Sequence, residues 1–446
     1  MFINDINTDN ISMDDNVSIL KNKRQFQKRI MGLTSYFKSA DEKLLPDFNP
    51  ASDIILEYVE MSNYQLGIYE KARKAERKQE KNNAKKRRRN KVGEMYEESV
   101  STYRIFSRSF CNFVFPPEIR RPFPKEEVET EITQKQDTDV DELEGEINIQ
   151  TKAVENLDEN ILDNNKLENE TSSLSHNTHE IADNKYEIRI QKALNQLFDT
   201  KETNLTGEKL LEYSPKFHRI LENITNPNYD GLHLIYSNFR TLEGIGILKI
   251  VLQANGLVEF KLTKNSDGTY DINDELFVEL QNKDAFVLYT GTESTEEKDL
   301  VRKIFNSDWD KLNDNLKNKL QQINPNNYFG EVIKCFMITS SGAEGITLKN
   351  TRFVHLVEPY WHPVREEQVI GRAVRICSHE KLPQDKRNVK VFKYISVFSE
   401  SQLSGTGNRD IDAGEEGKKE NTVRVSTELR NNDIIRIGND TKVITS

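Results

Sequence analysis

Residues 340–375 read SSGAEGITLKNTRFVHLVEPYWHPVREEQVIGRAVR. Just upstream, 332–338 is a short apolar run of the kind that forms a buried strand. A loop of Gly and Ser follows. Gly342 and Gly345 stand three apart, and because neither brings a Cβ the backbone can turn sharply and approach a ligand. At the C-terminal end of a strand such a loop can present amides to phosphate oxygens; it can equally be a plain strand-to-helix turn. After a second apolar run at 353–357, residues 364–375 carry helical spacing. Gln368, Arg372 and Arg375 fall at i, i+4 and i+7 on one face, while Val369, Ile370, Ala373 and Val374 can bury the other. A guanidinium is permanently charged and grips a polyphosphate at two points. The bland alternative is that both arginines pair with Glu366 and Glu367.

Outward from this stretch the same texture continues. Apolar runs at Leu232–Tyr236, 286–289 and 389–395 read as further buried strands. Between them, Leu242, Ile245, Leu248 and Leu252 keep helical spacing, with Gly256 placed to end that helix, and Leu300, Ile304 and Phe305 mark another. Strands alternating with helices over 186–402 predict an α/β domain, a parallel sheet with helices on both faces. In such folds ligands meet the loops after the strand C-termini.

The 446 residues carry a net charge of −10, which as an average argues against a generic nucleic-acid binder. The average hides a polarity. Residues 20–124 read as a basic, helical region, and 71–91 alone hold twelve Lys and Arg against two Glu, a solvated helix or a phosphate-binding patch. Residues 125–185 read as a disordered acidic insertion, since 125–183 hold eighteen Asp and Glu against four Lys and few aromatics. Residues 1–19 read as an N-terminal remnant, and 403–446 as a polar, truncated tail ending in a hairpin around Gly438-Asn439-Asp440. Cys111, Cys335 and Cys377 show no ligand-like spacing, so no metal site is expected and the thiols read as reduced. No run reaches the ~18 apolar residues of a membrane span, and the sequence reads as soluble and intracellular.

Taken together, 340–379 resembles motifs V and VI of superfamily 2 helicases, closest to the SWI/SNF-like branch, with the Trp361-His362-Pro363 turn between them. GLHLIYSNFRTLEGIGILKIVL (231–252) resembles motif IV, and FVLYTGTESTEEKDLVRKIFNS (286–307) the segment after it. RIMGLTSYF (29–37), SRSFCNFVFPPEIRRPFP (107–124) and EPYWHPVREEQVIGRAVRICSH (358–379) resemble helicases of large nucleocytoplasmic DNA viruses, of the poxvirus early-transcription-factor and nucleoside-triphosphatase type. The resemblance covers about 20–124 and 186–402.

That resemblance implies a RecA-like second lobe. Arg375 matches the arginine finger, Arg372 its phosphate-contacting partner, and Gln368 and Gly371 the rest of motif VI. Ser341, Gly342, Glu344 and Gly345 match motif V; Ser237, Asn238, Thr290, Gly291, Thr339 and Ser340 match positions touching a nucleic-acid backbone. Where relatives often carry Gly-Gln after the second arginine, this chain has Ile376-Cys377-Ser378. ATP and Mg2+ are implied as cofactors, held mainly by a first lobe whose GxxxxGK[ST] phosphate loop this sequence does not contain. The partners implied are that first lobe, in cis or trans, nucleic acid (DNA before RNA) and viral transcription machinery, with no membrane. Alone, the chain is then expected to be inactive as an ATPase. A non-catalytic binding remnant and one subunit of a split transcription-factor ATPase are the competing readings.

Overall fold

The computed structural model describes residues 28–29, 44–89, 105–122, 176–266, 268–290, 293–339, 345–360, 363–404, 434–437 and 440–443. Residues 1–44 form a unit of their own, in which Lys28 and Arg29 are helical; the rest concerns the unit 45–446. Along the chain come β1 (Ile54–Glu60), α1 (Asn63–Arg89), α2 (Ile105–Phe110), α3 (His176–Asp199), α4 (Gly207–Tyr213), α5 (Pro215–Thr225), β2 (Leu232–Tyr236), α6 (Ile245–Ala254) and β3 (Val258–Glu259). A short antiparallel ladder of β4 (Thr263–Lys264) with β5 (Tyr270–Asp271) follows, then α7 (Asp274–Leu280) and β6 (Ala285–Tyr289). The domain closes with α8 (Thr295–Phe305), α9 (Asp314–Ile323), β7 (Cys335–Ile338), β8 (Thr351–Leu356), α10 (Pro363–Ala373) and β9 (Lys390–Val397).

Seven strands pair in the order β1-β9-β8-β2-β7-β6-β3, every pair parallel. The strand period of two sorts the side chains onto two faces. Ile235, Phe286, Met337, Phe353 and Phe392 pack with Leu197, Phe217, Ile220 and Leu248 on one side. Leu234, Val287, Phe336, Val354 and Val391 pack with Ile304, Leu316, Val369 and Ala373 on the other. Each of these buried apolar side chains contributes roughly 1.5–3 kcal/mol. The expected parallel α/β sheet covered on both faces is what forms.

The helical reading of 20–124 is corrected at Ile54–Glu60, which is an edge strand in register with Lys390–Val397's strand from Ile54↔Val391 to Glu60↔Val397. Its isoleucines, valine and tyrosine suit a pleated surface, and the partner that decides the matter lies far away in sequence. The basic run does lie on a helix, α1. Its buried side, Leu66, Ala72 and Ala75, meets the segment after it. Glu76, one of the two acids within the run, is buried and accepts the backbone N–H groups of Phe106 and Ser107, satisfying the first donors of α2. Helix α3 begins at His176, inside the stretch read as the acidic insertion; residues 123–175 lie outside the described residues. Ile434–Ile437 pairs antiparallel with Asp440–Val443, the ladder read from the tail, with Asp440 in the strand and not in the turn.

A polar thread runs through the first core. Asn223 Nδ2 donates to Tyr394 Oη at 2.9 Å. Tyr394 Oη meets His355 Nδ1 at 2.8 Å, His355 Nε2 meets His233 Nδ1 at 2.9 Å, and His233 Nε2 meets the Tyr229 carbonyl at 3.1 Å. With both histidines protonated on Nε2, every link has one donor and one acceptor. Burial pushes His355 down to about 3 and holds His233 well below its ordinary value.

Candidate functional site at the C-terminal edge of the sheet

Three of the sequence-derived contacts fall into one row. Tyr236 is in register with Ile338, and Ile338 with Tyr289. Ser237, Thr339 and Thr290 therefore follow side by side at the ends of β2, β7 and β6. All three side chains are buried. The Ser237 hydroxyl donates to Glu358 Oε1 at 2.7 Å, and the Thr290 hydroxyl to Glu293 Oε1 at 2.8 Å. What this edge offers a ligand is backbone and loop, not those hydroxyls. Asn238, half-buried, gives its N–H to Glu358 Oε2 at 2.8 Å. Gly291, Ser340, Ser341, Gly342 and Glu344 lie outside the described residues, as do Trp361 and His362.

The loop after β2 is held with unusual completeness. A Cβ on Gly244 would stand 1.8 Å from the Phe239 carbonyl oxygen, and one on Gly246 1.6 Å from that of Thr241, so only glycine closes the turn. Asn112 acts as a hub behind it: Nδ2 donates to the Glu243 carbonyl at 2.9 Å and to Glu358 Oε1, and Oδ1 accepts from Lys216 Nζ at 2.9 Å. Arg121 pairs with the Glu243 carboxylate. Burial raises the Glu358 carboxyl, opposed by hydrogen bonds from Asn238 and Ser237 and the field of Lys216; burial lowers the Lys216 ammonium. Nothing in the spacing of the sequence announces Asn112 or Glu358, because each acts across more than a hundred residues of chain.

The two arginines behave differently from the simple stripe. Gln368 and Arg372 lie on α10, Gln368 exposed, but the helix ends at Ala373, so Arg375 stands beyond it. Arg375 is brought back by its own side chain: Nε donates to the Gly371 carbonyl at 3.0 Å and Nη1 to Thr347 Oγ1 at 2.6 Å. Arg372 Nη1 reaches the Ile346 carbonyl at 3.4 Å, and the Leu348 N–H donates to the Arg372 carbonyl at 3.3 Å. The end of α10 and the residues after it are thus laced to residues 346–348. Glu366 is engaged elsewhere, accepting from the Tyr360 N–H and pairing with Lys393. Gly345 takes φ +73°, the left-handed conformation that favours glycine. Cys377 takes φ +57°, a left-handed conformation adopted here by a residue with a Cβ.

Thr347 is itself fixed from a helix that sequence reasoning did not connect to the site. Asn306, capping the end of α8, donates from Nδ2 to the Thr347 carbonyl at 2.9 Å and accepts the Lys349 N–H on Oδ1 at 2.8 Å. Gly371 is open: a Cβ there would meet nothing within 4 Å beyond its own helix. A mid-helix glycine costs ~1 kcal/mol against alanine, and no neighbour among the described residues requires it.

Residues 269–377 match the family model described as the helicase conserved C-terminal domain. Over those residues the chain is similar to that domain, and the likeness to helicases of large DNA viruses read from its motifs holds. A protein of Acanthamoeba polyphaga mimivirus named as an ATP-dependent RNA helicase is 29% identical over 397 residues, covering 85% of this chain and 42% of its own length. The Termination factor NPH-I homolog of African swine fever virus is 33% identical over 210 residues, covering 43% of this chain and 27% of its own. The chain spans under half the length of these curated relatives. The C-terminal part of the Fun30 ATPase domain is similar at 15% identity and a TM-score of 0.38, covering 79% of this chain and 86% of that one. No helix among the described residues is long and apolar enough to cross a membrane.

Proposed function

We propose that this chain supplies the arginine-finger half of an ATP-driven nucleic-acid helicase or translocase, closing over a nucleotide held by a first RecA-like lobe in cis or in trans. The observation that supports it most directly is the guanidinium of Arg375. Two hydrogen bonds, to Gly371 and Thr347, fix Nε and Nη1, which leaves Nη2 with no partner among the described residues. A preset donor of this kind stabilises charge that develops in phosphoryl transfer without reorganising. The open flank of Gly371 suits the approach of a partner surface. These groups fit the terminal phosphates of ATP. Bound ATP would supply the γ-phosphoryl group that passes to water while ADP leaves, and Arg375 and Arg372 would neutralise the charge that develops on it.

The experiment is phosphate release, measured for this chain alone, with a first lobe added, and with DNA or RNA in each case. The chain alone should turn over negligibly, and the assembled motor should be stimulated by a strand. Arg375→Ala should lower the assembled rate by about 10³–10⁵ while strand binding persists. Robust hydrolysis by the isolated chain, or an active Arg375→Ala motor, overturns the reading. DNA is the strand expected from the motif likeness, yet the mimivirus relative is named for RNA, so both strands belong in the assay. The name of the swine fever relative, a termination factor, supports a setting in viral transcription.

A further inference from the structure

The chain leaves β2 toward the face where α6 packs, and leaves β8 toward the opposite face, where α10 packs. β2 and β8 are neighbours in the sheet. Their C-terminal ends therefore flank the point where the connections part, and open parallel sheets receive ligands at such a point. Motif reasoning places only Ser237 and Asn238 there, neither of them charged.

A guanidinium–aromatic cluster gathers at this point. The Arg365 guanidinium lies 4.2 Å from the Tyr360 ring centre, and its Nη1 is 3.4 Å from Asn238 Oδ1. The Arg108 guanidinium, from α2, lies 5.8 Å from the ring of Phe239 and 6.0 Å from that of Tyr360. Arg108, Asn238, Phe239, Tyr360 and Arg365 are all half-buried. Among the described residues neither arginine forms an ion pair with a carboxylate. The nearby Glu358 is fully enclosed, its oxygens taken by Ser237, Asn238 and Asn112. A ring under a guanidinium occupies its flat face and leaves the in-plane N–H fork to bind a tetrahedral oxyanion.

We propose that this cluster is a phosphodiester site for a single nucleic-acid strand, with one backbone phosphate received between Arg108 and Arg365. Arg108 lies outside the matched helicase domain, so the flanking segment 105–122 would contribute directly to strand binding. The inference rests on the nucleic-acid half of the reading above, and not on the role of Arg375.

The test is equilibrium binding of the full chain to fluorescent single-stranded DNA and RNA oligonucleotides across a salt series, with ATP as competitor. The double variant Arg108→Gln, Arg365→Gln should bind roughly tenfold more weakly at low salt, with its log-log salt slope reduced by about 0.7, one phosphate contact on a single strand. Arg108→Lys and Arg365→Lys should restore the slope. An unchanged slope in a double variant with wild-type thermal unfolding overturns the proposal while leaving the Arg375 reading standing. Displacement of the oligonucleotide by ATP in the wild type, lost in the double variant, also overturns it by making this a nucleotide site. Failure of the wild-type chain to bind either strand would sink the proposal together with the strand-binding half of the proposed function.

Discussion

The loops after β2 and β7 leave neighbouring strands in register, yet they are held by opposite means. The first, 237–246, is locked from all sides: a buried carboxylate takes its N–H, Asn112 and Arg121 take Glu243, and two glycines remove the only side chains that would clash. The second is held through its later half, 346–350, by groups drawn from elements around the arginines: Asn306, Arg372, Arg375 and the Ser378 carbonyl, which accepts the Asn350 N–H at 2.9 Å. One loop is a fixed landmark. The other is tied to the helix that would meet a nucleotide, so a shift of α10 is passed to it by hydrogen bonds and not merely by contact.

Breaking the landmark should cost most. Gly246→Ala must push the Thr241 carbonyl aside, and overpacking of this severity is expected to remove roughly 3 kcal/mol or more of stability, read from urea unfolding midpoints. A change under ~1 kcal/mol would show the loop to be far softer than its geometry. The second test loosens the tie on the other loop. Asn306→Ala should cost roughly 1–3 kcal/mol, the range for stranding a buried hydrogen-bonded group, and Asn306→Asp, which keeps the acceptor for Lys349 but sets a buried carboxylate oxygen against the Thr347 carbonyl, should cost at least as much. The smallest effect belongs to Thr347→Val, about 1 kcal/mol for one hydrogen bond at a half-exposed, solvent-screened guanidinium, with Thr347→Ser near wild type. If Thr347→Val also leaves Arg375→Ala no worse than Arg375→Ala alone in the assembled motor, the two side chains act as a unit.

Acid sharpens the contrast between core and edge. His355 is held at about 3 and His379 at about 4 by burial, and His233 well below the usual value. These groups are neutral when folded and take up protons when unfolded below about 6.5. Their contribution is present above that pH and is lost as pH falls toward 4 and 3. Each adds up to ~1.4 kcal/mol per pH unit of destabilisation. Unfolding midpoints between pH 7 and 5 should show this limb, and His355→Gln should lower its slope by about one proton; an unchanged slope would refute the assignment.

The sheet was legible where its strands are buried on both faces. Leu232–Tyr236 matches its apolar run residue for residue, and the runs at 286–289, 353–357 and 389–395 lie within two residues of the observed strands. β1 escaped because its burial alternates and its meaning depends on β9. In the site, residue identity was readable and geometry was not. Periodicity put Arg375 on the helix; the helix stops at Ala373, and a side-chain bond to Thr347 fixes its guanidinium instead. Ser237 and Thr339 sit in the expected row, but burial turns their side chains inward. Asn306, Asn112 and Glu358 carry no local signal at all, since each polar residue acquires its role only when distant strands are brought together.

The edge strand has a consequence for how the molecule is made. Ile54 pairs with Val391, some 340 residues later in synthesis. At ribosomal speeds the nascent strand waits roughly 17–70 s for its neighbour, with an apolar, hydrogen-bonding edge and nothing yet to cover it. A long-range parallel pairing of this kind folds slowly, which makes the nascent chain a natural client for chaperones.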